Sequence, residues 1–429
     1  MRLLIRNGTI IDPANNVEAP GSLLIEDGCI IEILPADCNV SADTTIDADG
    51  GIICPGFIDV HVAVREPGFS EDETIATAAA AAVAGGFTSI ACLPDTDPVV
   101  DNQGAAEFVR RQGERANKCR VFPLGAATKG HKGEELAEIG QLHEAGTVGF
   151  TDGKTAIANA EVMRRALEYT GMFDKPVLHH SMVPELSEQG VMHEGFVSTL
   201  LGLPGIPAAA GDIMVGRDIA LCRLAGGQVH IMSVTTAEAV QRIREARDEK
   251  VSVTADVSPH HLLLTDEVMK TFDTLCKCNP PLRSQEHVNA LIAGLKDGTI
   301  SIISSDHQPL AIEKKAVELD IAPAGICGLE TALSICVEAL ITPEHLSWSE
   351  LISCLTIGPA RLLDLPHGTL SIGAAADITV IDPTAEYTID ATKFHSASRN
   401  TPFHGRRATG RVVATIVGGQ LKYQQVNDN

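Results

Sequence analysis

Aromatic side chains make up only 3% of the 429 residues, with one Trp and three Tyr, so stacked rings cannot form the interior. Ala, Val, Ile and Leu must fill it, and those are the residues that pack parallel strands against helices. Positive charge is scarce too: 33 Lys and Arg stand against 56 Asp and Glu, a formal net charge of -23. Phosphate backbones and anionic lipid headgroups need clustered cations, so no nucleic acid and no membrane partner is expected. No run of about 18 apolar residues occurs. The chain opens on a strand-like alternation over residues 3–11 in place of a signal peptide, so a soluble, cytoplasmic protein is expected.

No Gly-x-Gly-x-x-Gly follows any strand candidate, which removes the fingerprint of an open dinucleotide-binding sheet. Eleven cysteines are present, mostly within apolar runs such as Ile90-Ala91-Cys92-Leu93, where a thiol behaves as a small hydrophobe. Reduced thiols are expected. Only Cys276 and Cys278 lie close together, and one Cys-x-Cys without a second pair is weak ground for zinc.

The chain is longer than one hydrophobic core usually carries, which predicts a large domain with a smaller one beside it. Eight β-branched runs alternate with amphipathic segments between residues 56 and 310, each closed by Gly, Pro, Asp or His. The runs cover 57–64, 87–94, 120–124, 147–152, 176–180, 228–234, 251–257 and 299–306; helical patterns include 73–84, 134–145, 160–169, 237–249 and 286–296. This pattern predicts a closed (β/α)₈ TIM barrel over 56–363. The strand-rich flanks, 1–55 and 364–429, are too small to fold apart and are expected to pair into one composite β-sandwich. In such a barrel the chemistry lies at the C-terminal strand ends, so the polar residues there carry the functional reading.

The first barrel run ends in Asp59-Val60-His61-Val62-Ala63-Val64-Arg65-Glu66-Pro67-Gly68. Together with Gly149-Phe150-Thr151-Asp152-Gly153, Pro259-His260-His261-Leu262, Asn279-Pro280-Pro281-Leu282-Arg283 and Ser305-Asp306-His307, it resembles the dihydroorotase branch of the metal-dependent amidohydrolases. The likeness spans essentially the whole chain. It implies a barrel that holds one or two zinc ions through paired histidines on strand 1, a carboxylate after strand 4, histidines ending strands 5 and 6, and an aspartate ending strand 8. His61, His180 and Asp306 match that pattern, and Asp152 matches in an uncertain register, because the family commonly shows two consecutive aspartates there. Ala63 and Ser233 stand where two of the histidines belong.

The resemblance also implies that Arg65 and Asn279 hold a substrate carboxylate and that Asp306 is the catalytic base. Asp95 replaces a family asparagine and Leu310 a family histidine, so the substrate side departs from the pattern as well. His260 and His261 read as supports of a loop. Zinc in a catalytic site needs three protein ligands and a water, and each half of a binuclear site is depleted here. The first reading is therefore a non-catalytic dihydroorotase homologue of pyrimidine biosynthesis that assembles with aspartate carbamoyltransferase. Zinc is then a residual ligand or none at all, and self-association is left open. The alternative is an active zinc dihydroorotase, interconverting N-carbamoyl-L-aspartate and L-dihydroorotate at a reduced site of His61, Asp152, His180 and Asp306. A hydrolase of another cyclic amide is a third.

Overall fold

The structure is a computed structural model, and it describes residues 2–38 and 40–425. Eight short parallel segments close around a common axis. The first three, Phe57–Val62, Phe87–Cys92 and Arg120–Pro123, pair in sequence order. Val177–His179, Val229–Ile231, Val253–Val257 and Ile302–Ile303 form the other four-stranded stretch.

The fourth segment joins the two stretches around Phe150, which bridges Gly125 on one side and Val177 on the other, with Val148 and Thr151 adding backbone bonds to the third strand's end. Closure between first and last strands comes from a side chain as well as the backbone. Ala63 N donates to His307 O at 3.0 Å, and the buried Asp59 carboxylate accepts the Ser304 hydroxyl and, at 3.1 Å, the Ser305 amide. Asp59 is thus a structural staple inside the barrel, and burial raises its carboxyl above the ordinary range.

The expected strands are present but shorter than the apolar runs, because the polar ends of the runs turn into loops. The last run, 299–306, is strand only over Ile302–Ile303. The helix expected over 134–145 is reduced to Ile139–Glu144, since the backbone of Leu136 is taken by a bridge to Thr128. The alanine-rich helix Ile75–Ala84 starts at a Thr74 capping box and buries six of its residues; small side chains let it lie close against the strands.

Strands from both flanks join one eight-stranded sheet, in which Ile52–Pro55 pairs with Arg2–Asp12 on one side and Ile378–Thr388 on the other. This sheet encloses its own core of Leu3, Ile5, Leu23, Ile378, Val380 and Ile416. Among the described residues no helix is long and apolar enough to cross a membrane.

Candidate active site

Three of the residues singled out by sequence meet at the barrel mouth, around a fourth that sequence reasoning missed. Lys154 follows Gly153 after the fourth strand, and its ammonium lies 2.6 Å from Asp306 Oδ1 and 3.1 Å from the carbonyl oxygen of Asn279. His61 Nδ1 is 3.7 Å from the same Asp306 oxygen. Burial alone would raise the Asp306 carboxyl, but Lys154, His61 and His260 together outweigh it and hold the group well below the usual carboxylate range. His180 faces this cluster with an unpartnered buried Nδ1; burial, then Lys154, keeps its ring neutral at ordinary pH. Its neighbour His179 is turned away, accepting from Ile157 N at 2.9 Å and donating to Asp218 at 2.7 Å.

Asp152 is not brought to the cluster. Its carboxylate accepts the amides of Ala127 and Thr128 at 3.0 and 2.9 Å and the Thr128 hydroxyl, so it fastens the loop after strand 3. Three donors from one turn take most of the carboxylate's lone-pair sites. His61 is also committed elsewhere. Its Nε2 donates to Asp256 Oδ2 at 3.0 Å, an oxygen that His230 Nε2 reaches at 2.9 Å. Burial opposes a charge on His61, yet Asp256 raises its pKa above the ordinary value.

The two departures read from sequence have clear consequences. Ala63 is fully buried and packs with Val60, Ala91, Leu93, Leu178 and Met232 in the barrel interior. Ser233 sits at φ 51° with its amide donating to Asp256 Oδ1 at 3.1 Å and its hydroxyl unpartnered. A methyl group and a hydroxyl thus stand where the resemblance implies two imidazoles, and the Lys154 ammonium already holds Asp306. The residues present do not fit a two-metal centre.

Arg65 and Asn279 line one cavity of about 160 Å³ with Asp95, Lys154, Asp306 and Gln308. Here Arg65 donates to Asp95 at 2.9 Å and to Gln308 at 2.8 Å, while the Asn279 side-chain oxygen has no partner. Leu310 is buried, with its amide donating to Asn400. The cavity thus holds two cations already matched by two carboxylates.

This geometry agrees with known proteins in frame. A dihydro-orotase-like family model matches residues 50–239, and an amidohydrolase family model matches 327–423. A protein called dihydroorotase from Pelotomaculum thermopropionicum is 48% identical over 424 residues, covering 99% of each chain. The chain belongs to the dihydroorotase family. Another dihydroorotase, from Acetivibrio thermocellus, is 44% identical over 98% of both chains. Among solved structures, an L-hydantoinase (dihydropyrimidinase) from Arthrobacter aurescens superposes with a TM-score of 0.88 at 24% identity, over 98% of this chain and 95% of that one. A dihydropyrimidinase from Brevibacillus agri follows at 0.83 and 23%, with the same coverage. At those identities the structures establish the shared amidohydrolase barrel with its β-sheet domain, and the family rests on the sequence relatives.

Lys154 and Asp256 are the residues that sequence reasoning missed. The signal for Lys154 was a basic residue immediately after Gly153, at the end of the fourth strand run. For Asp256 it was a lone carboxylate in the otherwise β-branched and small-residue strand Val253–Val257.

Proposed function

We propose that this chain is a cytoplasmic, dihydroorotase-type protein of pyrimidine biosynthesis whose own barrel does not turn over substrate and which assembles with aspartate carbamoyltransferase. The observation that carries the reading is the 2.6 Å ion pair between Lys154 and Asp306. A carboxylate that must serve as base is here held at Oδ1 by a tethered ammonium. The second cation of the cavity, Arg65, is matched by Asp95. An anionic substrate such as N-carbamoyl-L-aspartate would need to break one or both pairs to gain an anchor, and burial makes that costly. Retention of the whole frame around such a centre supports a role carried by the surface.

A second reading, a working dihydroorotase, is favoured by a specific observation: curated relatives with that name are 43–48% identical across 98% or more of this chain. In that case Asp306 is the base, Arg65 and Asn279 anchor the substrate carboxylate, and substrate binding itself opens the Arg65–Asp95 pair. The deciding experiment is a dihydroorotate assay in both directions, with the chain alone and mixed with the carbamoyltransferase from the same genome, alongside sedimentation of the mixture. No turnover together with a stable complex is expected. Turnover that vanishes in Asp306→Ala establishes the second reading, and the absence of a complex removes the partnership.

A further inference from the structure

Beside the cavity, three metal-ligating side chains are buried together. His260 and His261 sit on the short helix Pro259–Leu263, and Cys278 lies on the loop before Asn279. One donor atom from each falls within 4.8 Å of the other two. His260 Nε2 is buried without any hydrogen-bond partner, and the residues are only 2%, 2% and 5% exposed. A buried polar atom without a partner is costly, and this one stands beside two further donor atoms.

We infer that His260, His261 and Cys278 form a site for a single zinc-class divalent cation, with Asp306 facing it as a fourth ligand. The edges of the cluster have the right size. A tetrahedral zinc places a thiolate sulfur and an imidazole nitrogen about 3.5 Å apart, and Cys278 Sγ is 3.7 Å from His261 Nε2. His260 Nε2 lies 3.9 Å from Asp306 Oδ2.

Lys154 does not compete for that oxygen, because it holds Oδ1; one carboxylate can serve the ammonium on one side and the cation on the other. Both rings are in the neutral, ligating form, His261 being pushed down to about 4 by burial. The Cys278 thiol is pushed up to about 12 by burial, so loading releases one proton as the S–H bond is replaced by a sulfur–metal bond. The His261 Nε2 proton, now 3.0 Å from Pro280 O, moves to Nδ1 in the same step. Cys278 also borders the cavity of Arg65 and Asn279, which gives the ion an entry path.

The site does not use the family's strand-1 position and does not depend on whether the chain turns over substrate. Its test is therefore made on metal alone. The full chain is stripped with chelator and dialysed against zinc, then against cobalt. The expected result is one equivalent bound, one proton released per zinc, and a thiolate-to-cobalt charge-transfer band in the near ultraviolet. Cys278→Ser, nearly isosteric, is expected to abolish the band and weaken zinc binding by about 100-fold or more, with His260→Gln weakening it independently. His61→Ala is expected to leave the band in place. No binding at micromolar zinc, binding without the band, or binding indifferent to Cys278→Ser overturns the proposal.

Discussion

His61 and Asp256 are joined inside the barrel by a 3.0 Å contact between Nε2 and Oδ2, and both side chains are fully buried. The same carboxylate holds His230 and the Ser233 amide, so one residue of strand 7 gathers strands 1 and 6. Asp256→Ala leaves two imidazoles and an amide unpaired in a closed interior. A loss of about 3–5 kcal/mol in denaturant unfolding is expected, the range for breaking a buried ion pair from one side. A loss below about 1 kcal/mol would show that the network does not bear on stability.

Lys154→Met strips Asp306 of its counter-ion and leaves a buried carboxylate. The parent's Asp306 is held below its ordinary value, so the pair's contribution is present above the unfolded carboxylate pKa of about 4 and lost as pH falls below it. The variant should therefore be less stable by several kcal/mol near neutral pH, and the gap should narrow in acid, where Asp306 takes a proton. Pairing the change with Asp306→Asn should recover much of the loss. Thermal unfolding at a series of pH values separates these outcomes from a simple packing defect, which would not depend on pH.

Arg283 Nη1 donates to His193 Nδ1 at 3.0 Å, an arrangement that requires a neutral imidazole. Burial, reinforced by the Arg283 charge, pushes His193 down to about 4. A depressed histidine gives stability that is present above its unfolded pKa of about 6.5 and is lost as pH falls toward the folded value. Stability should thus drop between about pH 6.5 and 4, with His193 contributing on the order of 3 kcal/mol at most. His193→Gln keeps an acceptor and cannot titrate, so it should flatten that part of the profile; an unchanged profile would assign the dependence to other groups.

Gly328 lies where a Cβ would come 2.1 Å from the carbonyl oxygen of Ser305. Backbone cannot yield as a flexible side chain can, so Gly328→Ala must displace the strand end that carries Asp306. Destabilisation by about 2–4 kcal/mol is expected, together with a weaker Lys154–Asp306 pair. Hydrogen exchange at residues 304–307 should rise in the variant, and protection equal to the parent's would mean that the loop absorbs the methyl.

The eight-strand frame was legible because its signal is local: a β-branched run bounded by turn residues and followed by an apolar stripe at helical spacing is visible in a dozen residues. His61, Asp306, Arg65 and Asn279 were legible for another reason, since strand-end motifs in a fixed order mark the barrel mouth. That Asp152 fastens the strand-3 loop was not legible, because a carboxylate's identity does not say which donors reach it, and Thr128 lies 24 residues away. His260 and His261 read as loop supports, which the bond of His261 to Pro280 O fits; that Cys278, 17 residues from His261, lies beside them is set only by the fold.

The sequence by itself determined the barrel, the joining of both flanks, the excess of negative charge and the absence of two imidazoles at Ala63 and Ser233, all of which follow from residue type and spacing. Only the tertiary structure decided that the Lys154 ammonium fills the mouth, that Asp256 captures His61 and that Arg65 is matched by Asp95. Such pairings depend on distances of about 3 Å between residues remote in the chain. Coulomb attraction and desolvation at that range select partners that no periodicity encodes.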